Sequence, residues 1–135
     1  MFTGVYSINI AVNDYESAVK KFKDVLNIEP KYFRDEDFAF PNLMGAQFFL
    51  GGVALNVIGS KTDDTSIAQF VKKQGEGLFL VSLLVDDIER DVKESRFIKK
   101  TANSIHPFYD HGHRTPQFVI ELLLTHKILL HILPL

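Results

Sequence analysis

The sequence predicts an α+β fold built from two tandem βαβββ modules around a shared cleft. Three observations predict it. The stretch Ile10-Ala11-Val12-Asn13-Asp14-Tyr15-Glu16-Ser17-Ala18-Val19 recurs 73 residues later as Leu83-Leu84-Val85-Asp86-Asp87-Ile88-Glu89-Arg90-Asp91-Val92. Each copy reads as a strand that runs into an acidic helix start. Three short strand patterns then follow each helix pattern. A repeat unit of about half the chain means two similar modules, and the positions facing their cleft carry the function.

The elements follow in order. Val5 to Val12 is β-branched and bounded by Gly4 and by Asn13-Asp14, the pattern of a strand. Asp14 is placed to cap the next helix by accepting a hydrogen bond from a free backbone N–H. In that helix Tyr15, Ala18, Val19, Phe22, Val25 and Leu26 read as one apolar stripe, while Lys20, Lys21, Lys23 and Asp24 take the wet side. Pro30 stops the helical pattern. Strands are expected over Lys31 to Arg34, Ala46 to Leu50 and Val53 to Ile58, with Gly51-Gly52 as a two-residue hairpin turn between the last two.

Ser60 to Thr65 reads as a polar linker, and Ser66 to Lys73 as a short helix burying Ile67, Phe70 and Val71. Gly75-Glu76-Gly77 ends it. Leu78 to Val85 is the opening strand of the second module. Asp86 or Asp87 caps a helix to about Phe97, with a weaker stripe of Ile88, Val92 and Phe97. Strands are expected near Ser104 to Phe108, Thr115 to Leu123 and Lys127 to Leu133, because Thr125-His126 breaks the C-terminal run where the repeat demands a turn. The expected boundaries are module one at about 1–59, a linker and short helix at about 60–77, and module two at about 78–135, in a single domain.

Composition excludes several function classes. A chain of 135 residues, 46% hydrophobic, fits one compact domain with a sizeable core. The formal net charge of −2 offers no basic face for nucleic acid, and Lys72-Lys73 and Lys99-Lys100 are isolated surface pairs. Cysteine is absent, so there is no disulfide framework and no thiolate metal site. The first residues lack the pattern of a signal peptide. The C-terminal apolar stretch is broken by Glu121, His126, Lys127 and His131, and falls short of a membrane span. Cytoplasmic residence is the expectation.

Several segments together resemble the vicinal oxygen chelate superfamily, which includes glyoxalase I, bleomycin-resistance proteins, methylmalonyl-CoA epimerase and ring-cleaving dioxygenases. They are Ile10-Ala11-Val12 followed by Asp14 and Ala18; Phe22-Lys23-Asp24-Val25-Leu26-Asn27-Ile28-Glu29-Pro30; Ser66-Ile67-Ala68-Gln69-Phe70 leading into Gly75-Glu76-Gly77; Val85-Asp86-Asp87-Ile88-Glu89; and Thr125-His126. The linker and the Gly-Glu-Gly segment are most similar to the epimerase branch. The resemblance implies an open half-barrel cleft. It also implies a homodimer, since a second copy often covers the sheet edges and apolar faces.

In enzymes of that superfamily a divalent metal sits in the cleft, held by one side chain from each of four strands, usually two His and two Glu or Gln. Carried onto this sequence, those positions fall on Ser7, Asn56, Leu80 and His131. A rival alignment places the fourth on Glu121 but leaves the last strand unused. Leu80 has no donor atom, a protonated Ser7 hydroxyl is a weak ligand, and Asn56 offers only a neutral oxygen. Zinc, nickel or iron sites normally need three or four strong protein ligands. The expectation is a cleft that has kept its shape without a family-type metal and without a cofactor.

Asn9 and Ser82 fall on the same strand faces as Ser7 and Leu80 by period-two alternation, and either add hydrogen-bonding groups to the cleft or satisfy one another. His131 lies on an otherwise apolar strand. Its ordinary pKa near neutrality suits a general acid or base, and it is the candidate catalytic residue. His106, Asp110, His111 and His113 form a local cluster, read as a solvated turn around Pro107 and Gly112 in preference to a second metal site. Phe38, Phe40, Phe48 and Phe49 read first as core and secondly as an apolar cleft lining. No phosphate-binding glycine loop and no Ser-His-Asp arrangement is evident.

The resulting expectation is a small-molecule-binding protein. Its ligand is partly apolar, and its ligand-binding residues are Ser7, Asn9, Asn56, Leu80, Ser82 and His131. The alternative is an epimerase-like or lyase-like enzyme that uses His131 with Asn56 and Ser7, or an altered metal site.

Overall fold

The computed structural model describes residues 2–85, 102–108 and 117–123. The second-module helix after Asp86, the strand from Lys127 and the positions Asp110, His111, His113 and His131 lie outside the described residues. The described chain is α+β. Its elements are β1 (Phe2–Ala11), α1 (Tyr15–Leu26), β2 (Lys31–Tyr32), a 3-10 turn (Asp35–Asp37), β3 (Leu43–Leu50), β4 (Val53–Ser60), α2 (Ser66–Gln74), β5 (Gly77–Val85), β6 (Ala102–Phe108) and β7 (Gln117–Leu123). The first module is therefore βαβββ in full, and the second contributes three described strands.

The chain divides into two compact units, Ile8–Phe79 and Met1–Ser7 with Leu80–Leu135. In the Ile8–Phe79 unit the strands follow the order β2-β3-β4-β1. The β3–β4 hairpin is set by Gly51 and Gly52. Both have positive φ, at 57° and 99°, and Leu50 pairs directly with Val53. That turn chemistry fixes the whole register from Leu43↔Ser60 to Leu50↔Val53. β3 begins three residues before the expected Ala46, because the ladder continues as far as β4 extends.

Helix α1 starts where its cap predicts, with the Asp14 carboxylate accepting from the Ser17 N–H at 3.0 Å. It ends at Leu26, short of Pro30. Asn27 adopts the left-handed conformation (φ 53°), and its N–H still reaches the Lys23 carbonyl at 2.8 Å. Asparagine tolerates that conformation better than most residues. Val25 is a correction to the expected stripe. It is 82% exposed, because six residues past Val19 is about 120° around the helix from the buried face.

β2 covers only Lys31–Tyr32, not the expected run to Arg34. The Phe33 N–H still donates to the Gly45 carbonyl at 2.9 Å, but the next N–H, from Arg34, is captured by the Asp37 carboxylate at 2.8 Å. That capture turns the chain into the 3-10 turn. Helix α2 is capped by the Thr65 hydroxyl, which accepts from the Ala68 N–H at 3.1 Å. It closes on Gly75, whose φ of 82° suits glycine.

The Ile8–Phe79 sheet packs an apolar cluster on each face. Val19 of α1 clusters with Val12, Ala46, Phe48 and Val57, with Phe48 and Val57 fully buried. Each such burial is worth about 1.5–3 kcal/mol. Strand alternation puts Leu43, Ile58 and Ala11 on the opposite face, where they pack with Ile67 of α2 and with Phe33, Phe38, Phe70 and Phe79. α2 covers only one end of that face. The remainder is the surface on which most of the first module's candidate residues stand.

In the other unit the strand order is β1-β5-β7-β6. β5 and β7 are antiparallel, with Leu80↔Leu123 and Ser82↔Glu121, and β7 pairs antiparallel with β6, with His106↔Val119. Among the described residues no helix is long and apolar enough to cross a membrane.

Candidate cleft site

On the face of the Ile8–Phe79 sheet opposite α1, side chains fall in rows across β3, β4 and β1. The first row, under α2, is apolar: Gly45 pairs with Ile58, next to Ala11. Gly45 is required there. A Cβ on it would collide with Phe33 and come within 2.9 Å of Phe38, two rings packed edge to face at 5.3 Å.

The next row is polar. Gln47 pairs with Asn56 in the β3–β4 register, so their side chains share a face. Gln47 Nε2 donates to Asn56 Oδ1 at 3.1 Å, and Asn56 Nδ2 donates to Asn9 Oδ1 at 2.9 Å. Three amides from three neighbouring strands thus form one directed chain. Asn56, at its centre, is 7% exposed, while Gln47 and Asn9 are half-buried. A row further on come buried Ala54 and Phe49, which is 60% exposed.

In the unit with Leu80–Leu135, Ser7 is buried on β1 and its hydroxyl donates to the Ser82 hydroxyl at 3.0 Å. Ser82 is likewise buried. Leu80, two residues back along β5, is 9% exposed. Asn9 is bonded to Asn56 and Ser82 to Ser7.

Three of the four positions to which the resemblance carries the metal ligands are therefore described, and the groups they offer are weak donors for a cation. Leu80 offers alkyl carbons, the Ser7 hydroxyl donates to Ser82, and the Asn56 amide oxygen already accepts from Gln47. Among the described residues no three His, Cys, Asp or Glu side chains come together. The fourth position bears on the second module. β7 lies beside β5, with the Cα of Glu121 opposite Ser82. Asn9 stands to Ser82 as the two copies of the repeat, 73 residues apart. With either Glu121 or His131 the set holds a single strong ligand.

Gln47 was not among the residues the sequence singled out. Its signal was present, because a two-residue turn at Gly51-Gly52 places Gln47 opposite Asn56 by counting alone. The phenylalanines divide between the two readings. Phe48 is core against α1, Phe38 packs over Gly45, and Phe40 and Phe49 are exposed, at 68% and 60%.

Displaced pKa values arise away from this row. Burial, followed by the neighbouring Tyr32, raises the Tyr15 hydroxyl. The side-chain bond to Glu29 raises Lys23, and the Arg34 backbone N–H lowers the Asp37 carboxyl. A shallow groove beside α1 contains Lys20 and Lys23, but both are already paired, with Asp24 at 3.0 Å and Glu29 at 2.9 Å.

Comparison with known proteins agrees with this architecture. The model of the Glyoxalase/Bleomycin resistance protein/Dioxygenase superfamily matches residues 7–100. The chain belongs to that superfamily. No curated protein matches it. Among solved structures, methylmalonyl-CoA epimerase from Mycobacterium tuberculosis is similar at a TM-score of 0.59 and 18% identity, covering 96% of this chain and 93% of that one. A variant of Streptomyces coelicolor methylmalonyl-CoA epimerase, solved with 2-nitronate-propionyl-CoA, is similar at 0.59 and 20% identity, covering 85% and 79%. A hypothetical protein from Bacillus halodurans is similar at 0.58 and 20% identity, covering 84% and 79%. At these identities the likeness is one of fold.

Proposed function

We propose that this protein binds a small, partly apolar molecule in the cleft of its glyoxalase-like fold, without a family-type metal. The observation that carries the reading is Leu80, whose buried side chain is alkyl at the position to which the resemblance carries a metal ligand. The commitment of Ser7 to Ser82 and of Asn56 to Gln47 and Asn9 supports it. Hydrogen-bonding side chains beside apolar ones suit a ligand with an apolar body and a few polar anchors. The mode is that of the antibiotic-sequestering branch, and the ligand need not be an antibiotic.

Two measurements test this. Elemental analysis of protein purified without a His tag is expected to find zinc, nickel, cobalt and iron well below one equivalent. A stoichiometric metal would end the metal-free reading. A thermal-shift screen of acyl-CoAs, 2-oxo compounds and flat aromatic compounds is expected to find stabilising ligands, because a ligand that prefers the folded state raises its stability.

The enzyme alternative draws on the fold likeness to methylmalonyl-CoA epimerases. In it His131 exchanges a proton with the substrate, and Asn56 and Ser7 orient that substrate. Activity unchanged by His131→Ala would remove His131 from that role. The proposal includes a cytoplasmic homodimer, for which exposed Phe40 and Val25 offer apolar surface to cover. Light scattering on the purified protein tests the dimer.

A further inference from the structure

We propose that the row Gln47–Asn56–Asn9 selects an uncharged ligand that presents an N–H donor beside a C=O acceptor, such as a carboxamide, lactam or imide, in preference to a carboxylate. The inference rests on the reading that this cleft binds a small molecule, and it names the ligand class.

The direction of the chain sets the chemistry. Each primary amide has two N–H donors and a carbonyl with two lone pairs. Gln47 spends one N–H on Asn56, and Asn56 spends its carbonyl on Gln47 and one N–H on Asn9. Gln47 therefore keeps a carbonyl and a second N–H with no partner among the described residues, on a side chain that is half-buried. A group with its own adjacent donor and acceptor completes both. A carboxylate brings two acceptors, meets the N–H and sets its other oxygen against the Gln47 carbonyl.

Charge points the same way. The row carries none, and it lies between the apolar layer at Gly45 and Ile58 and the apolar pair Ala54 and Phe49. Moving an anion against such a surface is costly unless a cation comes with it. Lys31 is opposite Gln47 in the β2–β3 register, but it is exposed. An ion pair in water is worth little. Phe49 stands two residues from Gln47 on the same face, where it can receive the ligand's apolar body.

The test uses matched fragments on the full chain, observed by saturation-transfer NMR with titration: nicotinamide against nicotinate, benzamide against benzoate, glutarimide against glutarate, with naphthalene as an apolar control. The expected result is at least tenfold tighter binding of the neutral member of each pair. Gln47→Leu and Gln47→Met, which remove the amide without adding charge, should both erase that preference. The second variant keeps the test open if the first folds poorly. Equal or tighter binding of the acids overturns the inference, as does an unchanged preference in both variants. Binding of naphthalene without the amides overturns it while leaving the cleft-binding reading in place. Silence from every probe overturns both.

Discussion

Replacing Asn56 by alanine removes both bonds of the amide chain at once, and the structure sets the size of the effect. The two bonds, at 3.1 and 2.9 Å, join neutral groups, each worth about 1 kcal/mol net. Gln47 Nε2 and Asn9 Oδ1 are half-buried, so water restores part of what they lose. Asn56 itself is 7% exposed, and its truncation leaves a small void on a packed face. The sum is a loss of about 2–3 kcal/mol. Asn56→Leu loses the same bonds but fills the void with apolar atoms, so it should cost less, about 1 kcal/mol. Urea unfolding monitored by circular dichroism measures both, as a lower midpoint at unchanged slope. Adding Gln47→Ala completes a double-mutant cycle, with an expected coupling of about 1 kcal/mol. If Asn56→Ala stays within about 0.5 kcal/mol of the parent and the coupling is zero, the amide chain does not hold together in solution.

Other perturbations follow from particular contacts. Gly45→Ala forces a methyl group into Phe33 and Phe38 and should cost about 1–3 kcal/mol by overpacking. Gly51→Asn, in open space at φ 57°, should be nearly neutral in the same unfolding assay. Asp14→Ala removes the cap on Ser17 and should cost about 1 kcal/mol, read as a drop in melting temperature. Tyr15 supplies a pH test. Burial raises its hydroxyl, so the folded state favours the protonated form. That contribution is complete below the ordinary tyrosine pKa and is lost as pH rises through the higher folded value. Above about pH 10 the parent should lose melting temperature faster than Tyr15→Phe, and parallel curves would contradict the assignment.

The extent of legibility differs from element to element. The β1 strand, the Asp14 cap, the Gly51-Gly52 turn and the α2 stripe were readable because each depends on neighbours within a few residues. The end of α1 was not, because Asn27 closes the helix before Pro30 is reached. Nor was the fate of Arg34, whose N–H goes to Asp37 instead of extending β2. In the candidate site, Ser7, Asn9, Asn56, Leu80 and Ser82 were named from the repeat and the family resemblance. Their partners were not.

By itself, the sequence determined the α+β class, the recurrence of a strand and acidic helix start 73 residues apart, and the alkyl group at Leu80. Those are matters of residue type and of spacing along the chain. Only the tertiary structure decided that Asn56 bonds to Asn9, that Ser7 bonds to Ser82, and that Phe49 faces solvent while Phe48 is buried. The Gly51-Gly52 turn sets the β3–β4 register locally, but which strand lies beside β1 and which face is covered depend on packing against residues distant in the chain.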